Sequence, residues 1–153
     1  MAKFLYRMQN ILNIKYQLEE QAKMEYAQAN LRLQEEEEKM QDLLNRKKAY
    51  EEESKQLLSG SLNVLDIREN RDALSKMQEY IKAQEVQVRE AEKLVIRAMK
   101  KLTGVMQERK AQEKLKENAF QVFLQEENAK ESKEIDELVS FTYGKKRREG
   151  NHG

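Results

Sequence analysis

The residues of this chain that could do chemistry are few: one histidine, no cysteine, four successive carboxylates at Glu35-Glu36-Glu37-Glu38 and four successive bases at Lys145-Lys146-Arg147-Arg148. An ordered imidazole can relay a proton or ligate zinc, but His152 stands in a Gly-Asn-His-Gly tail where disorder is expected. A Ser-His-Asp relay, a Glu-x-x-His motif and a two-histidine zinc motif all fail for want of it. The five glycines are scattered singly, so neither a phosphate-cradling loop nor a dinucleotide fingerprint is present. Successive helical residues point about 100° apart, so Glu35 to Glu38 do not converge on one cation and read as a solvated face. The basic run could meet nucleic acid, an anionic membrane or an acidic protein pocket, and four charges alone choose weakly among them. Just before it stand Ile135, Leu138, Val139, Phe141 and Tyr143, which favour an acidic partner protein. No catalytic, cofactor-binding or metal-binding residue is named, and the chain is not expected to be an enzyme.

Charged residues make up 37% of the chain and proline is absent, against about 25% and about 5% in ordinary domains. So polar a chain cannot fill a wide core; it must be disordered or bury one narrow stripe on long helices. With 29 basic and 28 acidic residues interleaved, there is no basic stripe to bind nucleic acid. The lack of cysteine fits a reducing compartment, and the N-terminus lacks a secretory pattern. The longest uncharged stretch, Gln56 to Leu65, falls far short of the ~20 apolar residues of a membrane span.

Periodicity decides for helix. Phe4, Met8, Ile11, Lys15, Leu18 and Ala22, then Tyr26, Ala29, Leu33, Glu36, Met40, Leu43, Lys47, Tyr50, Ser54 and Leu57 follow the 3.5-residue spacing of a coiled-coil seam. The successive fours at Leu18, Ala22 and Tyr26 predict a stutter. A second run keeps register from Leu74 through Met77, Ile81, Gln84, Val88, Ala91, Val95, Ala98 and Leu102 to Val105. Register is expected to falter between Gly104, a candidate bend, and Leu115, and to resume as Leu115, Ala119, Val122 and Phe123. Between the runs, Gly60 suits a left-handed helix end and Ser61 or Asn63 an N-cap. The fold class is therefore all-α, a long antiparallel two-helix coiled-coil hairpin in a single domain. Helix one is placed at about 3–58, the turn at about 59–63 and possibly looped to 72, helix two at about 64–143, and a disordered basic tail at 144–153. About 20 residues of the second helix should project past the start of the first. The polar seam positions Lys15, Glu36, Lys47 and Gln84 are read as long side chains reaching back to water.

Tyr50, Met77 and Tyr80 fall in the half of the hairpin near its turn. Met77 and Tyr50 fill seam positions, while Tyr80 lies one step off the seam and should be partly exposed. Tyrosine is enriched at binding hot spots, so these three mark a candidate docking face.

The two termini resemble the FliJ family, the coiled-coil component of the bacterial flagellar type III export apparatus. Phe4, Tyr6, Arg7, Gln9 and Leu12 match its opening pattern, and Glu131, Lys133, Ile135, Asp136 and Glu137 match its C-terminal signature, with Ser132 departing from the usual glutamine. Tyr50 and Tyr80 match its aromatic positions around the turn. The resemblance implies a fold like the shaft of a rotary ATPase central subunit. It also implies the partners: the flagellar export ATPase hexamer, the export gate membrane protein and export chaperones. Phe4, Arg7 and Ile11 with Glu131, Lys133, Asp136 and Glu137 would then meet the ATPase ring, and Tyr50, Met77 and Tyr80 the gate or a chaperone. Expected further are no cofactor, no nucleic acid and no membrane span. The chain should be a monomer in isolation and lie in the cytoplasm against the inner face of the membrane at the flagellar base. Other readings are an injectisome stalk homologue, a holdase chaperone, or a tether in which two chains zip together in parallel.

Overall fold

A computed structural model describes residues 2–150, the side chain of Glu149 excepted. It is all-helical: two long helices, α1 (Gln9–Leu58) and α2 (Val64–Gly150), pack against each other as an antiparallel hairpin. Contacts divide the chain into two units.

The unit formed by Leu18–Met106 contains the turn. Its covered positions on α1 are Glu19, Ala22, Glu25, Tyr26, Ala29, Leu33, Glu36, Met40, Leu43, Lys47, Tyr50, Ser54 and Leu57. Apart from Glu25, they alternate by threes and fours. The seam position before Ala22 is therefore Glu19, 5% exposed, whereas Leu18 is left at the surface. The stutter expected at Leu18, Ala22 and Tyr26 is absent, because the heptad runs on through Glu19. On α2 every expected position from Leu74 to Val105 is covered, and the seam starts earlier, at Ile67 and Asn70.

Polar seam residues pair across the hairpin instead of reaching for water. Gln84 Nε2 donates to the Glu36 carbonyl oxygen at 2.9 Å and to its Oε2 at 2.6 Å. Asn70 Nδ2 donates to the Tyr50 carbonyl oxygen at 3.0 Å. Such contacts fix which residues face each other, since a slip of one heptad would strand a buried polar group. Lys47 alone follows the bland reading, ion-paired at 4.0 Å with Glu51 on its own helix. The Gln84 hydrogen bond is the main reason that the Glu36 carboxyl titrates below its usual 4.5, with Lys39 and Arg32 adding to it against the cost of burial. A depressed folded-state value contributes stability above the unfolded value and loses it as pH falls through the folded one. Gln84→Ala should therefore flatten acid destabilisation: between pH ~6 and ~3 the urea midpoint should fall less in the variant than in the parent. An equal fall would show that the bond does not set the titration.

The turn is closed by side chains. Ser59 N and Oγ both donate to the Gln56 carbonyl oxygen, at 3.2 and 2.9 Å. Asn63 Oδ1 accepts from the amides of Leu65 and Asp66 at 3.1 and 3.4 Å, which makes it the N-cap of α2. Asp66 adds a negative charge to that first turn. No described glycine has positive φ, so Gly60 does not end α1 in the left-handed conformation expected of it. With Asn63 as cap, α2 is helical from Val64 and no loop reaches residue 72.

The other unit is built from the chain up to Gln17 and from Gln107 onward. Its first residues, 2–6, are not helical, and α1 begins only at Gln9, after a turn in which Gln9 N donates to the Tyr6 carbonyl oxygen at 3.1 Å. No Ser, Thr, Asp or Asn precedes Asn10 to cap an earlier start. The segment is held by rings instead: Phe4 meets Phe120 edge-on at 5.2 Å and Phe123 at 5.4 Å between centroids. Aromatic pairs of this kind add about 0.5–1.5 kcal/mol beyond the area they bury. Leu12 is 1% exposed and Ile11 37% exposed, so the seam takes Leu12 and leaves Ile11 at its edge. Lys15 Nζ reaches Glu108 Oε2 at 2.8 Å, and Tyr16 Oη donates to Glu113 Oε1 at 2.6 Å. On α2 the three-and-four alternation carries through Arg109, Gln112, Lys116, Ala119 and Phe123, all at least half covered. Register does not falter there, and Leu115 and Val122, expected inside, are half exposed. Gly104 is an ordinary helical residue with open space around it. The helix continues to Gly150, through the stretch from 144 that the sequence assigned to a disordered tail, with Arg147 and Arg148 in its last turn. Cations there complement the helix dipole. His152 lies outside the described residues.

Candidate docking surfaces

The surfaces must be built from what the seam leaves over. In the unit holding both ends of the chain, the rings of Phe120 and Phe123 on α2 meet that of Phe4, and coverage of α2 reaches Glu127, whose side chain is 13% exposed. From Asn128 to Tyr143 every residue is exposed, Glu131, Lys133, Asp136 and Glu137 among them. This stretch is a helix carrying charge and large apolar groups, with no described residue covering it. Arg7 is exposed and Ile11 half exposed, but Phe4 is half buried in the ring cluster and holds the chain to itself. The seven residues named for the ATPase ring are therefore not one patch. Glu131 stands about 12 Å and Asp136 about 20 Å along α2 from Phe123, at 1.5 Å per residue, and it is the Phe123 ring, with that of Phe120, that meets Phe4.

In the unit holding the turn, Tyr50 is level with Asn70, which bonds its carbonyl. Met77 and Tyr80 lie about 10 and 15 Å further along α2. Met77 is 7% exposed and fills the seam, whereas Tyr80 is 51% exposed. These three do not make one face, and Met77 has no surface to offer a partner. What the sequence reading missed is the turn itself, where Leu58, Leu62, Val64 and Leu65 are all more than half exposed. Its signal was present as the longest uncharged stretch of the chain, taken only for a connection.

Among the described residues no group of three or more His, Cys, Asp or Glu side chains could hold a metal ion. Among the described residues, no helix is long and apolar enough to cross a membrane.

The family model described as Flagellar FliJ protein matches residues 4–148. The chain belongs to the FliJ family. It is thus a component of the flagellar export apparatus, in a family of structural export proteins rather than enzymes. No curated protein and no solved structure matches the chain. For a FliJ protein the pertinent geometry is the uncovered end of α2 in one unit and the apolar turn in the other.

Proposed function

We propose that the chain is a non-enzymatic shaft of flagellar protein export: it binds the hexameric export ATPase, promotes assembly and turnover of the ring, and links it to the membrane export gate. The observation that carries this reading is the family match across residues 4–148. The unit that holds both chain ends supports it, because residues 128–150 offer a helical surface that the protein does not use for its own packing. Glu131, Lys133, Asp136 and Glu137 with Arg7 and Ile11 contact the ring, and Phe4 holds the N-terminal segment in place for them. The exposed turn with Tyr50 and Tyr80 meets the gate or an export chaperone that the shaft escorts. The protein works in the cytoplasm, on the inner face of the membrane at the flagellar base.

The test is direct. Adding the purified chain to the purified export ATPase should raise ATP turnover and the hexamer fraction in sedimentation together. Turnover and assembly unchanged by a saturating excess would overturn the reading.

A further inference from the structure

The last stretch of α2 has a face whose chemistry is ordered along its length. Glu131, Glu134, Leu138, Phe141, Lys145 and Arg148 are spaced alternately by three and four, the stripe that a coiled-coil seam presents. All six are exposed, Leu138 by 64% and Phe141 by 71%. No ion pair joins the four charged members to another described residue. The stripe therefore runs carboxylate, carboxylate, apolar, apolar, cation, cation, with nothing laid on it.

Reversed end for end, that order is its own complement. We infer that two copies of this chain pair antiparallel through the end of α2, about a two-fold axis passing between Leu138 and Phe141. Leu138 of one copy then faces Phe141 of the other, Glu134 faces Lys145, and Glu131 faces Arg148, each contact occurring twice by symmetry. A parallel pair would instead set each carboxylate on its own copy and each cation on its own copy, which like-charge repulsion disfavours. A shallow groove lined by Ser140, Phe141, Gly144, Lys145 and Arg148 flanks the stripe. Its two small residues let a second helix come close.

The interface is short. Six stripe positions a side bury less than the ~800 Å² per partner of standard interfaces, so the dimer is weak and sensitive to salt. It departs from the monomer expected from sequence. It does not rest on the export reading, although that reading gives the same stretch to the ATPase, so self-pairing would compete with ring binding.

Sedimentation velocity on the full chain without ATPase tests it. At ~200 μM protein the dimer should be populated at low salt and dissolve near 0.5 M salt, where the Debye length falls to roughly 4 Å. Glu134→Lys alone and Lys145→Glu alone should each weaken association at least about tenfold, because each sets like charges opposite one another twice. The double variant E134K/K145E restores opposite signs and should return association to within about threefold of the parent. Far-UV circular dichroism checks that all three stay helical. A chain that remains monomeric, a dimer indifferent to the single changes, or a double variant that fails to recover would each overturn the proposal. If the face serves only the ATPase, the first of these results is obtained while stimulation of turnover persists, so the two readings fail separately.

Discussion

Leu12→Ala should lower the unfolding free energy by about 3 kcal/mol, while Ile11→Ala, one residue away, costs under about 1 kcal/mol. Both are aliphatic, and the sequence favoured Ile11 for the seam. The structure reverses the choice, since Leu12 is 1% exposed and Ile11 37% exposed. A slender two-helix seam has few such side chains, and among the described residues Leu12 is the largest that is fully buried. Truncating it removes transfer energy and leaves a void that stiff neighbouring helices close poorly. Urea unfolding followed by far-UV circular dichroism measures both variants. Losses in the reverse order would mean that α1 is rotated by about 100° from the orientation described.

Asp136→Lys together with Glu137→Lys should reduce stimulation of the export ATPase to the level without the chain, yet change stability by less than about 0.5 kcal/mol. Both residues are exposed and neither belongs to the seam. Their charges have no fold to support, so reversing them acts on a partner or on nothing. Charge across an interface mainly sets orientation and association rate, so the loss should show first in the rate at which hexamers form. Stimulation that survives the double change would remove these residues from the contact.

Much of the fold could be read in the sequence because a seam repeats. From Ala22 to Leu57, and from Leu74 to Val105, the apolar alternation is dense enough that a polar entry such as Glu36 or Gln84 does not disturb the count. Elsewhere hydrophobicity and geometry disagree. At Leu18-Glu19 and at Ile11-Leu12 the adjacent residues are equal or misleading in greasiness, and only the partner helix decides between them. From Arg109 to Lys116 the seam is made of long polar residues, with Arg109 paired to Glu113 Oε2 at 3.1 Å and Gln112 Oε1 accepting from Tyr6 Oη at 3.5 Å, so an apolar count goes blank there. Helix ends were misplaced for local reasons: Ser59 and Asn63 close the turn that Gly60 was expected to make, and the aromatic cluster holds residues 2–6 out of the helix.

The docking surfaces were less legible, because a surface is what pairing leaves uncovered. Tyr50 and Tyr80 look like neighbours across a turn, but the bond from Asn70 to the Tyr50 carbonyl sets them about 15 Å apart in level. The C-terminal signature was visible as residue types; that it stands on a bare helix was not. Gln84 and Glu36 each looked like a seam residue tolerated for its length. Only their mutual bond shows that they fix the pairing.

Whether the unit that holds both ends of the chain meets the ATPase can be read from a photo-activated cross-linking residue placed at Lys133 in one preparation and at Arg89 in another. Both positions are exposed and neither is part of the seam. A cross-link to the ATPase is expected from position 133 and none from position 89; cross-linking from 89 with none from 133 would overturn the contact.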